Sequence, residues 1–451
     1  MSRPSRVAGL SFFTQLPRGP LRAGSACRVK EVFIMTELQS MGAKAKAAAR
    51  FLACAGPLKD KALLAMAQAL EDCAPAILAA NREDVEAARA NGMSESLLDR
   101  LSLNEARIAS MASGVRQVAA QADPIGSVVS GGVRPNGMFI RRVRVPLGVV
   151  GMIYEARPNV TADAAALCLK AGNAVILRGG KEAIRSNCAI LDCMAEAAHK
   201  VGLPEGSLQL VRDISRESSR ELMSLTGYLD VLIPRGGAGL IRSVVENSRV
   251  PVIETGVGNC HLYLDESADP QMAVDIAVNG KTQRPSVCNA LEKLLVHEKA
   301  APALLPLVGK ALADRGVQLR ACPQSLAILQ ENGIAAVPAC GEDWDTEYLD
   351  LVMGVRVVRD FDEAVSHIAA HSSGHSECII TQNYANAKRF TEQIDAAAVY
   401  VNCSTRFTDG GEFGLGAEIG ISTQKLHARG PMGVNELTST KFIIEGDGQI
   451  R

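Results

Sequence analysis

The sequence predicts an α/β protein with two doubly wound parallel-sheet domains. Short apolar runs alternate with helix-like segments from residue 148 to about residue 404. Runs such as 149–154 and 231–233 are apolar throughout, as strands are when helices cover both faces of a sheet. At 451 residues the chain exceeds what one core usually serves, and its 47% hydrophobic residues include only 4% aromatics. Such a composition suits aliphatic helices packed on parallel sheets.

The region before the first of these runs has helical periodicity. Apolar residues at 63, 66, 67 and 70 follow the i, i+3, i+4, i+7 spacing of a helix face, and those at 108, 111, 112 and 115 repeat it. Ser102 and Glu105 form an S-x-x-E pattern that predicts a capping box at the start of the second helix.

Residues 124–148 and 430–451 are expected to form a separate β flap. The pair Asn136-Gly137 predicts a hairpin with a type I′ turn, and the tail at 435–444 is rich in β-forming residues. We interpret the hairpin and the tail as an oligomerisation flap, so the protein is expected to be a homo-oligomer.

Two sets of strand and helix segments define the expected domains. The first set has strands near 149–154, 174–177, 208–211, 231–233 and 250–253, and it should form one domain from residues 35–123 and 149–255. The second set has strands near 275–278, 294–296, 355–358 and 378–380, and it should form another domain from residues 256–429.

Composition excludes several classes of protein. Lys plus Arg (48) nearly equals Asp plus Glu (49), and no basic run is interleaved with aromatics, so no nucleic-acid partner is expected. The twelve cysteines include no C-x-x-C pair and follow no secretory leader, so we expect reduced thiols, no metal site and a cytoplasmic location. No stretch approaches the roughly 18 to 20 apolar residues of a membrane span.

Residues 1–34 differ from the rest of the chain. They carry six basic residues against the single acid Glu31 and show no clear periodicity before Met35. They weakly resemble a transit peptide. The alternative is a start codon assigned upstream of Met35, and we exclude the segment from the predicted fold as an unstructured extension.

Two glycine turns follow strands of the first set, although no G-x-G-x-x-G fingerprint is present. Ligands bind at the carboxyl edge of parallel sheets, where glycine allows close approach and helix N-termini attract phosphate. Chance is the alternative, because such turns often contain glycine. The turns predict a phosphorylated dinucleotide held by Arg178, Gly179, Lys181, Arg235, Gly236 and Gly237.

A second group of polar residues indicates a candidate catalytic site. Glu155, Arg157 and Asn159 crowd the end of a strand, where Asn159 either caps the next helix or donates to an oxyanion. Cys288 lies in a loop whose Lys281 and Arg284 would favour a thiolate. A lone cysteine is usually inert, and eleven others compete for the role.

These segments together resemble the aldehyde dehydrogenase superfamily over nearly all of residues 35–451. The matching runs are Leu-Gly-Val-Val-Gly at 147–151, Asn-Ala-Val-Ile-Leu-Arg at 173–178, Glu-Thr-Gly-Val-Gly at 254–258, the Cys288 loop and Val-Asn-Cys at 401–403. Within the superfamily, residues 154–161, 283–289 and 414–423 resemble the gamma-glutamyl phosphate reductase branch.

The resemblance implies an aldehyde dehydrogenase-like fold with a cofactor domain, a catalytic domain and the flap. It implies NADPH-dependent reduction of L-glutamyl 5-phosphate to L-glutamate 5-semialdehyde and phosphate, the second step of proline biosynthesis from glutamate. Cys288 would form a thioester, while its own backbone N–H and Asn159 stabilise the oxyanion. Because the acyl phosphate is labile, an association with glutamate 5-kinase is a further expectation.

The remaining site residues follow from the substrate. A doubly anionic ligand needs guanidinium or hydroxyl donors, so Arg157, Ser404 and Arg406 are expected to bind its phosphate and α-carboxylate. Glu155 and Asn289 are also expected among the substrate-binding residues. Glu254 stands where oxidising relatives carry a general base, but here the run is Glu-Thr-Gly-Val-Gly-Asn, so we expect it on the cofactor side of the site. Alternatives are an aldehyde oxidoreductase that forms the acid or acyl-CoA, and a binding protein without activity.

Overall fold

The computed structural model describes residues 35–155 and 157–451, apart from the side chain of Ser96. It begins with a layer of five helices whose apolar faces are buried. Asn104 caps the last of them through its side chain, which accepts from the N–H of Arg107 at 2.8 Å. The helices are α1 (Glu37–Leu52), α2 (Leu58–Asp72), α3 (Ala74–Ala90), α4 (Glu95–Leu101) and α5 (Glu105–Ala120).

A three-stranded antiparallel sheet interrupts the first domain. It contains β1 (Val128–Val133), β2 (Phe139–Pro146) and, from the far end of the chain, β16 (Thr438–Glu445). The central strand β2 pairs with both others. The hairpin between β1 and β2 and the added tail strand, both predicted from the sequence, are confirmed.

The first parallel sheet has four strands in the order β5-β4-β3-β6. Every residue of β3 is buried, which explains why its sequence is apolar throughout. The strands are β3 (Val149–Tyr154), β4 (Ala174–Arg178), β5 (Leu208–Leu210) and β6 (Val231–Arg235), and the helices that follow them are α6 (Asn159–Lys170), α7 (Ile184–Val201), α8 (Arg216–Met223) and α9 (Ala238–Asn247).

The second parallel sheet has seven strands in the order β10-β9-β11-β8-β7-β12-β13. Its central strands β7, β8 and β12 are buried along their whole length. The strands are β7 (Cys260–Leu264), β8 (Leu291–His297), β9 (Gln318–Ala321), β10 (Ala336–Pro338), β11 (Val352–Val358), β12 (Ser376–Ile380) and β13 (Ala398–Val401). The helices are α10 (Pro270–Thr282), α11 (Ala301–Ala313), α12 (Pro323–Glu331), α13 (Phe361–His371) and α14 (Tyr384–Gln393).

After the second sheet, the chain forms two short strands and packs again against the hydrophobic core of the first sheet. The pair β14 (Ile421–Ser422) and β15 (Gly430–Pro431) is antiparallel. Side chains such as Ile419, Met432 and Leu437 are buried in the same hydrophobic cluster as the strands of the first sheet. The predicted domain boundaries stay predictions.

The fold class predicted from the sequence is confirmed, but four local predictions are wrong. The run 250–253 is not a fifth strand of the first sheet, because it forms only an isolated bridge between Val252 and Leu232. The supposed strand at 275–278 lies inside α10, which begins at Pro270 with Asp269 as its cap. Ser102 does not cap α5, because it ends α4 and Asn104 takes the capping position. The Asn136-Gly137 turn is not type I′, because only Gly137 has a positive φ, 88°.

Two further predictions concern membranes and the chain start. Among the residues that the structure describes, no single helix is long and apolar enough to cross a bilayer, and α2 and α3, which pass that test as a pair, are bent by 65° at their junction. The interpretation of residues 1–34 lies outside the described residues.

Candidate active site

Cys288 lies in the turn that joins α10 to β8. Its side chain is half-buried, and the Cys260 thiol donates to its carbonyl oxygen at 3.2 Å. Gly258 packs against the same backbone, because a Cβ atom at this position would stand 1.6 Å from the Cys288 carbonyl oxygen. The segment 254–258, prominent in the sequence, therefore holds the predicted nucleophile in place by direct backbone contact.

Asn289, predicted to bind substrate, anchors the Cys288 loop instead of facing open solvent. Its buried amide donates to the carbonyl oxygens of Thr408 at 2.9 Å and Arg406 at 3.3 Å. The Thr405 hydroxyl donates in return to the carbonyl oxygen of Asn289 at 2.7 Å. These bonds tie the loop to the segment 405–408, so the structure gives the Asn289 side chain a positioning role.

Two arginines set the electrostatics of Cys288. Burial raises the pKa of the thiol, and the nearby guanidinium groups of Arg235 and Arg157 oppose that rise. The expectation that Lys281 favours the thiolate is wrong. Lys281 is fully buried and forms an ion pair with Glu292 at 3.0 Å. The last turn of α10 points it into the second core.

A cleft of about 840 Å³ opens beside the Cys288 loop. It brings together parts of the chain that are far apart in sequence: the start of α6, the ends of α4 and β6, the Cys288 loop and the segment before β14. The charged and amide side chains that line it include Arg100, Arg107, Arg157, Asn159, Asp163, Arg235, Gln283, Arg284, Asp409 and Glu418.

Asn159 lies in the first turn of α6 and faces this cleft. Its side chain does not cap the helix. The amide donates to the carboxylate of Asp163, one turn further, at 3.1 Å. Burial raises the pKa of Asp163 to about 6, against the opposing effects of Asn159 and Arg235. The geometry leaves Asn159 available as a donor at the cleft wall, as the oxyanion interpretation requires.

Five arginines and four carboxylates line the cleft. Burial and, to a lesser extent, the neighbouring charges of Arg235 and Arg100 together lower the pKa of Arg157 to about 10. Arg100 comes from the helical layer and donates to the carbonyl oxygen of Ser286 at 2.7 Å, inside the Cys288 loop. Several guanidinium groups in one desolvated cleft repel one another, so their arrangement favours a multiply charged anion.

Ser404 and Arg406, both predicted to bind substrate, lie at different places relative to the site. The buried Ser404 hydroxyl accepts from the N–H of Arg406 at 3.3 Å and so begins a short 3₁₀ helix, Thr405–Phe407. The Arg406 guanidinium donates to the side chain of Gln283 at 3.0 Å, at the start of the Cys288 loop. Arg406 thus borders the site, whereas Ser404 shapes the turn beneath it.

The predicted cofactor residues after β4 form a braced turn. Arg178 donates to the carbonyl oxygens of Ile214 and Ser215, both at 2.9 Å. Gly179 has no room for a side chain, because a Cβ atom would stand 2.1 Å from the amide nitrogen of Asn187. Lys181 is exposed at the beginning of a 3₁₀ helix. A cation and a close turn therefore lie at the carboxyl edge of the sheet.

Glu155 occupies the other glycine turn. Its carboxylate accepts from the N–H of Gly237 at 2.8 Å, and a Cβ atom on Gly236 would stand 2.6 Å from its carboxyl carbon. These glycines precede α9, whose N-terminus would also attract a phosphate. In this structure the Glu155 carboxylate occupies that turn. Arg235, grouped with these glycines in the sequence, lines the catalytic cleft instead.

Glu254 begins the segment 254–258. It is half-buried, and its backbone N–H donates to the side chain of Gln424 at 3.1 Å. The principal carboxylates that raise the pKa of Cys288 are Glu418 and Glu347. Within the described part of the chain, no group of His, Cys, Asp and Glu side chains is arranged to hold a metal ion.

Comparison with known proteins agrees with this architecture. A model of the aldehyde dehydrogenase family matches residues 43–320 and 334–443. A gamma-glutamyl phosphate reductase of Carboxydothermus hydrogenoformans is 59% identical over 418 residues, which are 92% of this chain and 100% of that protein. One of Clostridium perfringens is 58% identical over 416 residues, 92% of this chain and 99% of that protein.

This chain belongs to the gamma-glutamyl phosphate reductases, within the aldehyde dehydrogenase family. The crystal structure of the Thermotoga maritima gamma-glutamyl phosphate reductase matches it with a TM-score of 0.89 at 50% identity, covering 92% of this chain and 100% of that one. An acetylating aldehyde dehydrogenase of Geobacillus thermoglucosidasius, at 19% identity and a TM-score of 0.67, shares the fold. The family resemblance inferred from the sequence is confirmed.

The sequence interpretation missed several residues of the site. Arg100 lies in a helix that carried no local signal of function, and Glu347 reaches the site from a loop after β10, where it accepts from the N–H of Gly258 at 2.8 Å. Glu418 lies within the run 414–423 that resembles the family but received no role. Its position in a matched run was the available signal, since burial and charge depend on the fold.

Proposed function

We propose that the protein reduces L-glutamyl 5-phosphate to L-glutamate 5-semialdehyde and phosphate with NADPH, in the second step of proline biosynthesis. The observation that carries the proposal is the placement of Cys288 beside a cleft lined by Arg100, Arg157, Arg235 and Arg284. A nucleophile among guanidinium groups suits a substrate that carries a phosphate and an α-carboxylate. The names of the relatives support the same reaction.

The first chemical step forms a thioester on Cys288. The sulfur attacks the acyl carbon, and the developing oxyanion is stabilised by the N–H of Cys288 and the amide of Asn159, each donor contributing a few kcal/mol. Arg235 and Arg157 lower the pKa of the thiol against the effect of burial, and they also attract the anionic substrate. Phosphate leaves as the carbon–oxygen bond breaks.

The second step consumes the thioester. NADPH, when bound, supplies a hydride to the acyl carbon. The same donors, Asn159 and the Cys288 N–H, hold the oxyanion that results, and Cys288 is released as a thiolate when the carbon–sulfur bond breaks. No water has to attack, which agrees with the absence of Glu254 from the principal charges acting on Cys288.

NADPH would lie at the carboxyl edge of the first sheet. Arg178, Lys181 and the Gly236–Gly237 turn are its proposed contacts, with the two cations near the 2′-phosphate. The braced turn at Gly179 and the N-terminus of α9 supply the close backbone approach that a pyrophosphate needs. The contact between Glu155 and Gly237 must open for the phosphate to reach that helix end.

We also propose that the flap joins copies of the chain in a cytoplasmic homo-oligomer. Its sheet leaves apolar side chains exposed, among them Val133 at 70% and Phe442 at 64% of their full area. Such residues clustered on one small sheet are typical of an interaction surface.

One assay tests the proposed reaction. The purified enzyme is mixed with L-glutamate 5-semialdehyde and NADP⁺, and NADPH formation is followed with phosphate, with CoA or with neither. The proposal predicts turnover that depends on phosphate. Turnover that depends on CoA instead, or that proceeds rapidly with water alone, would assign the protein to an aldehyde oxidoreductase of another type, and no turnover would indicate a binding protein.

A further inference from the structure

Glu418 is rigidly placed at the catalytic cleft. The N–H of the next residue, Ile419, donates to the carbonyl oxygen of Met432, and the N–H of Gly256 donates to that of Ile421 at 2.8 Å. These bonds join the Glu418 segment to the segment 254–258, which itself packs on Cys288. The backbone of Glu418 and that of the nucleophile therefore belong to one connected framework.

One oxygen of the Glu418 carboxylate accepts a hydrogen bond, and the other has no hydrogen-bond partner in the described residues. Its Oε2 accepts from the N–H of Gly410 at 3.0 Å, while no hydrogen-bond partner for Oε1 is found in the described residues. Glu418 lines the cleft together with Asn159, Arg157 and Arg235. The free oxygen is thus presented to the same space that the substrate would fill.

The surroundings of Glu418 allow both protonation states near neutral pH. Burial raises the pKa of its carboxyl group to about 7. Arg235 opposes this rise, Asp409 adds to it, and His375, buried behind the site, opposes it weakly. A group whose pKa lies near the working pH is suited to donate and accept a proton in catalysis.

The proposed reaction requires such a group. A phosphate that leaves an acyl carbon without a proton would depart as a trianion, which is a poor leaving group in a desolvated site. We propose that Glu418 is a catalytic acid, protonating the bridging oxygen of the departing phosphate while Cys288 is acylated. This inference rests on the proposed function.

The step balances in atoms and charge. The bond between sulfur and the acyl carbon forms, the carbon–oxygen bond to phosphate breaks, and the proton of Glu418 moves to that oxygen, which leaves as hydrogen phosphate. Glu418 then regains a proton from solvent, the one proton that reduction of an acyl phosphate to an aldehyde consumes. In the reverse direction the Glu418 carboxylate accepts the proton of hydrogen phosphate as its oxygen attacks the thioester.

Other carboxylates of the site are less suited to this role. Glu347 accepts from the N–H of Gly258, and it is not part of the cleft lining. Asp163 is engaged by the amide of Asn159, the proposed oxyanion donor. Among these three, Glu418 lies in the cleft lining, has an oxygen without a partner in the described residues, and does not bind the proposed oxyanion donor.

The test separates the phosphate step from the hydride step. Enzyme is mixed with L-glutamate 5-semialdehyde and NADP⁺ without phosphate, which allows one turnover to the thioester, and inorganic phosphate is then added. Glu418→Gln should keep the single-turnover rate within about threefold and lose about 100-fold or more of the phosphate-dependent rate. The phosphate-dependent rate of Glu418→Asp should lie between those of the wild type and Glu418→Gln. Glu412 is an exposed residue on the same segment, and Glu412→Gln should match the wild type in both rates.

A second measurement guards against a merely structural effect. Alkylation of Cys288 by iodoacetamide is followed against pH, and its midpoint should shift to lower pH in Glu418→Gln, because a carboxylate that raises the thiol pKa is removed. A parallel loss of both kinetic steps, or an unchanged phosphate step, would overturn the inference. If the turnover of the wild-type enzyme did not depend on phosphate, the result would instead contradict the proposed function.

Discussion

Gly258 lies so close to Cys288 that a methyl group cannot stand between them: the built Cβ atom is 1.6 Å from the Cys288 carbonyl oxygen and 2.4 Å from its carbonyl carbon. Both contacts are to backbone, which cannot rotate away as a flexible side chain could. The position of Cys288, the proposed nucleophile, is therefore set by a residue thirty positions earlier in the chain.

Gly258→Ala should displace the Cys288 loop. We expect turnover to fall by about 100-fold or more, because small shifts of a nucleophile weaken its alignment strongly, and the free energy of unfolding to fall by about 1–3 kcal/mol. Steady-state kinetics and denaturant unfolding measure both. Gly341→Ala is the matched control, since nothing lies within 4 Å of its added Cβ atom. Equal behaviour of the two variants would contradict the packing argument.

Glu155→Gln should strengthen cofactor binding. The Glu155 carboxylate accepts from the N–H of Gly237, where it competes with a phosphate and repels it. Removing the charge should lower the dissociation constant of NADPH by about fivefold, roughly 1 kcal/mol. Fluorescence titration measures it, with Glu205→Gln, an exposed residue before β5, as control. Weaker binding in Glu155→Gln would show that Glu155 builds the cofactor site.

Lys181→Ala should discriminate between the two nicotinamide cofactors. Lys181 is exposed and begins the turn after β4, so its loss should leave the fold intact, whereas Arg178 braces two backbone carbonyls. We expect about tenfold weaker NADPH binding and less than twofold weaker NADH binding, because only NADPH carries the 2′-phosphate. Lys200→Ala, at the far end of α7, serves as the control. A similar loss for both cofactors would argue against a 2′-phosphate contact.

The free energy of unfolding should depend on pH through the ionisation of Glu418. Burial raises its pKa to about 7 from the usual 4.5, so the folded chain keeps a proton that the unfolded chain loses. The free energy of unfolding contributed by this group is therefore lost as pH rises from about 4.5 to 7. Glu418→Gln removes the effect, and its stability relative to the wild type should rise by up to about 3 kcal/mol across that window.

Urea unfolding of both proteins at a series of pH values measures this difference. His375 acts in the opposite sense, because burial lowers its pKa to about 4 and its contribution is gained as pH rises from about 4 to 6.5. It is present in both proteins, so most of its contribution cancels in the difference, apart from the part that comes from its charge interaction with Glu418. A difference that stays flat from pH 4.5 to 8 would mean that Glu418 ionises normally in the folded protein.

Much of the architecture could be predicted because its signals are local. Buried strands such as β3 are apolar at every position, and Gly172 and Gly202 end helices with the positive φ that glycine tolerates. The segment 275–278 was mistaken for a strand because four apolar-rich residues fit a strand and a helix equally well. The cap at Asp269 and Pro270, a few residues earlier, was the better signal.

The site was harder to predict because burial and partners decide the role of a side chain. Lys281 is near Cys288 in sequence, yet its helix turns it toward Glu292. Arg235 was grouped with the cofactor glycines, yet it lies at the end of β6, where its side chain lines the cleft. Arg100 and Glu418 reach the site from distant segments. The residues around Arg100 give no sign of that contact, and the matched run 414–423 around Glu418 indicates the family but not the role of the side chain.

The most direct test of the account is the loss of the Cys288 thiol. Cys288→Ser and the control Cys403→Ser, another half-buried cysteine, are compared in phosphate-dependent oxidation of L-glutamate 5-semialdehyde and in NADPH titration. We expect Cys288→Ser to lose about 1000-fold or more of turnover while its NADPH dissociation constant stays within about threefold, because a hydroxyl of high pKa attacks poorly. Cys403→Ser should remain active. Turnover near the wild-type level in Cys288→Ser would contradict the assignment of the nucleophile.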